Sequence, residues 1–196
     1  STTRFAVVIF NDEGLRGEYV VHWVGTPSTL GQIRMIAPLL IGRDPEKREI
    51  IYDDLKRELR AYDHMAHGSL DIALWDLIGK KYNVSVSKLL GGYKARLPTY
   101  ASTYHGQENP GGLDTPEAFS DYAESCKNQG FHGFKIHGWN NGDVSREVKN
   151  LLGIRKRVGE EMKLMIDPAC QLRTWNDALY VGRACDEAGY FWFEDP

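Results

Sequence analysis

Three stretches decide the fold of this chain: Phe131-His132-Gly133-Phe134-Lys135-Ile136-His137, Met162-Lys163-Leu164-Met165-Ile166-Asp167, and Tyr190-Phe191-Trp192-Phe193-Glu194-Asp195-Pro196. Each is a short apolar run that ends in polar residues able to do chemistry. Helical patterns lie between them. Thr115 is placed to cap a helix with Pro116 at its first position, and Phe119, Tyr122, Ala123 and Cys126 recur on its inner side. Asp143 is placed to cap a second helix, with Val148, Leu151, Leu152 and Val158 apolar, and a third runs over 177–187 with Ala178, Val181 and Cys185 inward. These helices stop at Gly130, Gly159 and Gly189, which stand 29 and 30 residues apart. A further short strand is expected over 97–102. Strands alternating with helices at this pitch predict βα units, a parallel sheet and the α/β class.

The preceding half has a different texture. Arg4–Phe10 and Glu18–Trp23 read as a hairpin turning through Asn11-Asp12-Glu13-Gly14. A helix follows Ser28-Thr29, with Ile33, Ile36, Ala37 and Leu40 in phase and Gly42 closing it. Asp44-Pro45 is expected to cap and open another, with Ile51, Leu55 and Leu59 inward. The strongest helical pattern is Leu70, Ala73, Leu74, Leu77 and Ile78. Ile72 and Trp75 extend its apolar surface to other sides, which predicts burial between layers, and Asp76 and Lys80 form an i,i+4 pair. A short helical turn over 86–90 ends at Gly91-Gly92. We place a boundary there, giving an α+β domain over 1–92 and a βα domain over 93–196.

Composition excludes several classes of function. The 196 residues carry 24 basic and 27 acidic side chains, a net charge of -3, with no cluster of Lys and Arg to meet phosphates. No nucleic-acid partner is expected. The longest clean apolar run, Ala6–Phe10, is far short of the ~20 residues that span a bilayer, so no membrane partner is expected either. Three irregularly spaced cysteines make neither a disulfide framework nor a zinc motif, which points to the cytoplasm.

Parallel βα units collect functional residues where the strands run out. Lys135 and His137 are two apart in one strand and share a face. Asp167 and Glu194 lie one βα step apart and project from neighbouring strands. Two carboxylates converging beside a lysine suit Mg²⁺, which takes carboxylate, water and substrate oxygens. Such a cation would also depress the lysine pKa and ready it as a base. Taken singly, Asp167-Pro168 is a turn starter, Glu194 a solvated acid, Lys135 an ion-paired lysine and His137 a strand-end histidine. Together they are a site, because unrelated surface residues have no reason to fall on successive strand ends.

Longer motifs now bear on this pattern. Gly68-Ser69-Leu70-Asp71-Ile72-Ala73-Leu74-Trp75-Asp76-Leu77-Ile78-Gly79-Lys80, followed by Leu89-Leu90-Gly91-Gly92, resembles the signature of the enolase superfamily, in its mandelate racemase and muconate lactonizing branch. Gly133–His137 resembles the second barrel strand of that family, which commonly bears a Lys-x-Lys pair. Leu164–Asp167 and Trp192–Pro196 resemble the strands with its first and second Mg²⁺ ligands. The resemblance implies an α+β capping domain followed by a (β/α)₇β TIM-type barrel, of which about the first half is present. It also implies Mg²⁺-assisted abstraction of the proton α to a carboxylate, with the enediolate stabilised by the cation. On that basis Lys135 is the base or its electrostatic helper, His137 a second acid or base, and Asp167 and Glu194 the metal ligands. The expected partner is a small-molecule carboxylate such as a sugar acid, and the expected assembly a homo-oligomer.

Two departures matter. His137 stands where the family often has a second lysine, and Ala169 stands where Asn is frequent. A histidine that titrates near neutrality suits protonation of a leaving hydroxyl, which favours sugar-acid dehydration over racemisation, epimerisation or cycloisomerisation. His105, after the first barrel strand, is a further candidate for the site. His64, His67 and His22 read as capping or packing residues, Cys126 and Cys185 as core, and Cys170 has no partner base. A non-catalytic half-barrel unit is the alternative of another class. Four strands are half of a barrel's eight, so the natural polypeptide is expected to continue, with an Asp or Glu roughly 20–30 residues past Glu194 as a third ligand. The loop that sets specificity in this family is expected ahead of Ser1.

Overall fold

A computed structural model describes residues 4–22, 26–106, 111–139 and 143–196. The chain divides into two compact units, Ser1–Ala95 and Arg96–Pro196.

In the first unit, β1 (Ala6–Phe10) and β2 (Arg16–Val20) form the antiparallel hairpin, with Val8 opposite Glu18. Trp23, expected to end its second strand, lies outside the described residues. The helix expected over 28–41 is shorter. α1 (Thr26–Ile36) gives way to a 3-10 turn over Ala37–Leu40, because Pro38 supplies no amide to an α-helical ladder. Asp44 does not cap the next helix. Its Oδ1 accepts from the Glu46 amide in a turn, and α2 (Arg48–Glu58) starts three residues later, after Lys47.

The long motif helix is α3 (Met65–Lys81). Ala66, Leu70, Ala73 and Leu74 pack into one core with Val7, Ile36, Ile51 and Leu55, and Leu77 is buried as well. β2 crosses this helix closely: a Cβ on Gly17 would lie 2.0 Å from the Ala73 carbonyl oxygen, so no larger residue fits. The helix is not buried all round. Ile72 lies off the packed stripe and is 43% exposed, while Trp75 stacks under the Arg48 guanidinium at 4.1 Å. Asp76 pairs with Lys80 at 2.7 Å and also accepts from the Glu18 amide. α4 (Val86–Leu89), capped by Ser85, follows.

The second unit is a four-stranded parallel sheet in the order β3 (Ala101–Ser102), β4 (Gly133–Ile136), β5 (Lys163–Ile166), β6 (Trp192–Phe193). Its connecting helices are α5 (Pro116–Asn128), α6 (Val144–Val158) and α7 (Trp175–Glu187). Thr115 and Asp143 cap α5 and α6 as expected, accepting from the Ala118 and Arg146 amides. α7 starts two residues earlier than expected because Thr174 caps it, accepting from the Asp177 amide. The chain turns at Gly130, Gly159 and Gly189 with φ of 92°, 77° and 59°. Phe119, Phe134, Ile136, Leu151, Ile154, Leu164 and Ile166 form a core without exposure. Tyr122, expected inside, is 44% exposed, and buried Ser120 takes the inner position with its hydroxyl donating to the Pro116 carbonyl. No helix among the described residues is long and apolar enough to cross a membrane.

Candidate active site

The strand register explains how residues distant in sequence meet. Lys135 lies opposite Met165 on β5, and Met165 lies opposite Trp192 on β6. The residues two positions past Met165 and Trp192, Asp167 and Glu194, therefore emerge side by side at the carboxyl end of the sheet. Lys135 Nζ lies 3.1 Å from Asp167 Oδ2 and 3.0 Å from Glu194 Oε2. His137 Nε2 lies 3.1 Å from the same Asp167 oxygen. The structure thus brings together all four residues singled out from the sequence.

His137 is fixed at three points. Its amide donates to Thr103 Oγ1, and its Nδ1 lies 2.5 Å from the Thr103 carbonyl oxygen. A carbonyl can only accept, so Nδ1 must carry a proton. Nε2 faces the Asp167 carboxylate. His105 reaches this corner as expected for a loop residue: its Nδ1 donates to the His137 carbonyl at 2.8 Å, and the two rings meet edge-on at 5.6 Å.

Electrostatics follow the contacts. Burial opposes the charge on Lys135, which is 7% exposed, but its hydrogen bonds to Glu194 and Asp167 outweigh burial and hold its pKa above the ordinary lysine value. That is the opposite direction to the one expected from a cation beside it. Burial would likewise raise Asp167, but hydrogen bonds from Lys135 and the Ala169 amide prevail and hold it below the usual carboxylate range.

The donor set can be compared with what a divalent cation requires. Asp167 and Glu194 offer hard oxygens to one point, which suits Mg²⁺ with water and substrate oxygens completing its shell. No group of three or more His, Cys, Asp or Glu side chains able to hold a metal occurs among the described residues. The two carboxylates therefore fit part of a Mg²⁺ shell.

Sequence reasoning missed three neighbours. Trp192 donates from Nε1 to Glu194 Oε2 at 3.1 Å, Tyr100 stands edge-on to Trp192 with Lys135 Nζ 5.9 Å over its ring, and Thr103 anchors His137. A signal existed for two of them. Trp192 is two residues before Glu194 and shares its face, and Thr103 ends β3 as the other polar residues end their strands. The first unit holds a cavity of about 850 Å³ walled by Val7, Ile9, Ile33, Leu40, Leu70 and Leu77, but the convergence of lysine, histidine and carboxylates is in the second unit.

Parallel βα units with ionisable residues gathered at the strand ends are the arrangement of the TIM-barrel class. Residues 1–91 match the mandelate racemase/muconate lactonizing enzyme N-terminal domain, and residues 118–196 match the enolase C-terminal domain-like family. The chain belongs to the mandelate racemase/muconate lactonizing branch of the enolase superfamily. It is 33% identical to D-galactarolactone cycloisomerase of Agrobacterium fabrum over 164 residues, covering 80% of this chain and 42% of that protein. It is 29% identical to arabinonate dehydratase of Saccharolobus solfataricus, covering 83% and 43%. The crystal structure of D-glucarate dehydratase from Agrobacterium tumefaciens complexed with magnesium superposes with a TM-score of 0.86 at 30% identity, covering 97% of this chain and 52% of that one. The chain spans about half the length of the relatives it matches.

Proposed function

We propose that this chain carries the proton-transfer and cation-binding residues of an enzyme that abstracts the proton α to a carboxylate, with dehydration of a sugar acid as its reaction. The observation that supports this best is the convergence of Lys135, His137, Asp167 and Glu194 within 3.1 Å contacts on three successive strand ends. Relatives named as a dehydratase of arabinonate and of D-glucarate, and as a cycloisomerase of D-galactarolactone, support the same substrate class.

Asp167 and Glu194 would hold Mg²⁺, which when bound stabilises negative charge developing on a substrate carboxylate. Lys135 is held charged by those two carboxylates. Were those carboxylates engaged by the cation, the contacts that raise its pKa would be lost, and Nζ, having released a proton to solvent, could accept the α-proton. His137 presents Nε2 to Asp167 and is anchored through Nδ1, the placement of a general acid able to protonate a departing hydroxyl. The free thiols of Cys126, Cys170 and Cys185 support a cytoplasmic setting.

The test is incubation of the protein, expressed from its natural gene, with Mg²⁺ and a panel of sugar acids in deuterium oxide. Exchange at the α-carbon accompanied by loss of water is the expected result. Exchange without water loss would move the assignment to racemisation, epimerisation or cycloisomerisation. Absence of both exchange and calorimetric Mg²⁺ binding would leave a non-catalytic homologue.

A further inference from the structure

We propose that Glu147, on α6, is a positioning residue for this site: its carboxyl group holds the Gly138–Trp139 turn that carries His137 out of β4 and ties that turn to the segment bearing Thr103 and His105. The inference rests on the proton-transfer role proposed above for His137.

Glu147 is 2% exposed, an unusual setting for a carboxyl group. Its Oε1 accepts from the Trp139 amide at 2.9 Å. Gly138 has a φ of 58°, and a Cβ there would lie 2.4 Å from Glu147 Oε2, so the turn rests directly on the carboxyl group. The Trp139 ring lies between Phe119, at 4.8 Å, and the Arg146 guanidinium, at 3.8 Å.

The turn then reaches the neighbouring strand end. The Gly138 carbonyl accepts from the Gly106 amide at 2.7 Å, and a Cβ on Gly106 would meet the Trp139 ring at 3.0 Å. One residue earlier, the His137 carbonyl accepts from His105 Nδ1. A continuous set of contacts therefore runs from Glu147 through the turn to both histidines.

Stability alone does not account for this carboxyl group. Among the described residues, Glu147 Oε2, Trp139 Nε1 and both polar side-chain atoms of Asn150 are buried without a hydrogen-bond partner. An apolar side chain would avoid that desolvation cost. Burial pushes the carboxyl group up to about 7, against the pull of the Trp139 amide and Arg146 and with a further push from Asp143. Cys185 of α7 and Tyr190 also couple to it electrostatically. A group kept at this cost, and bonded to the residue two past His137, has a positional task.

The test compares Glu147→Ala, Glu147→Gln and Gly138→Ala in the protein expressed from its natural gene. Glu147→Ala is expected to raise amide hydrogen exchange across residues 137–139 at least about tenfold. It is also expected to lower kcat for α-proton exchange roughly tenfold or more while KM moves less than about twofold. Glu147→Gln keeps the carbonyl acceptor and is expected to restore both quantities to within about threefold of the parent. Gly138→Ala drives a methyl group onto the carboxyl group and should reproduce the Ala variant, which decides the matter if Glu147→Ala does not fold. Unchanged exchange over 137–139 in both Glu147→Ala and Gly138→Ala overturns the proposal. Equal loss of kcat in the Ala and Gln variants, with exchange raised throughout α6, overturns it too. If the parent itself exchanges no α-proton, the functional reading fails, and the amide-exchange comparison still decides the role of Glu147.

Discussion

Two cations are buried in the βα unit, and their partners could hardly differ more. Lys135, near the carboxyl end of the sheet, is held by the carboxylates of Asp167 and Glu194. Arg155, on α6, serves the opposite end. Its Nε donates to the Ala188 carbonyl at 2.7 Å, Nη1 to the carbonyls of Gly159 and Met162, and Nη2 to the Gly189 carbonyl at 3.1 Å. These carbonyls belong to the turns that lead into β5 and β6. A guanidinium does not titrate, and backbone carbonyls neither titrate nor leave, so Arg155 can only staple. Lys135 and its partners are all ionisable and exchangeable, so that end of the sheet can rearrange charge. Burial of a cation is thus uninformative by itself; the chemistry of its partners separates scaffold from site.

That contrast can be broken in order of expected effect. Lys135→Met should lower the rate of α-proton exchange with a sugar acid by roughly 10²–10⁴-fold, measured by deuterium incorporation. An unchanged rate would erase the distinction. Arg155→Met should leave activity per folded molecule intact but lower stability by roughly 3 kcal/mol, read from urea unfolding, because four backbone carbonyls, two of them in the buried residues Met162 and Ala188, lose their donor.

The pH dependence sharpens the comparison further, since two buried carboxyl groups carry opposite signs. Glu147 has its pKa raised from 4.5 to about 7, so its contribution to stability is complete below about pH 4.5 and is lost as the pH rises through about 7. The loss is at most about 3 kcal/mol, and Glu147→Gln should abolish it in unfolding curves taken from pH 5 to pH 8. Asp167 has its pKa lowered, so its contribution is present above the ordinary carboxylate range and is lost as pH falls through its folded value. The smallest effect is expected at Ala169, which follows the site with a φ of 52°. Ala169→Asn should stabilise by up to about 1 kcal/mol in thermal unfolding, because Asn tolerates the left-handed region better than Ala.

How much of this was legible depended on the range of the interaction. The caps at Thr115 and Asp143 and the glycine stops act over a few residues, and the amino-acid order predicts them well. Pro38, visible in that same order, ends α1 although Ile36 and Leu40 keep helical apolar spacing across it. Asp44 could either cap a helix or close a turn, and local residues did not discriminate between the two. Glu147 and Arg155 read as ordinary charged residues on a helix face, because their burial depends on the strands and helices packed over them. Trp192 and Thr103 stand at strand ends in the sequence, but the register of β3 to β6 decides which site residues they meet.

The sequence by itself determined the alternation of strand and helix, its 29–30-residue pitch, the family resemblance, and that Lys135, His137, Asp167 and Glu194 stand where strands end. Those features are periodic or local, and local backbone sterics and capping are enough to produce them. Only the tertiary structure decided which charges meet. Lys135 and Glu194 are 59 positions apart, and no local rule joins them. Parallel pairing sets their register, and burial then makes an unpartnered charge so costly that the lysine and the carboxylates must find each other.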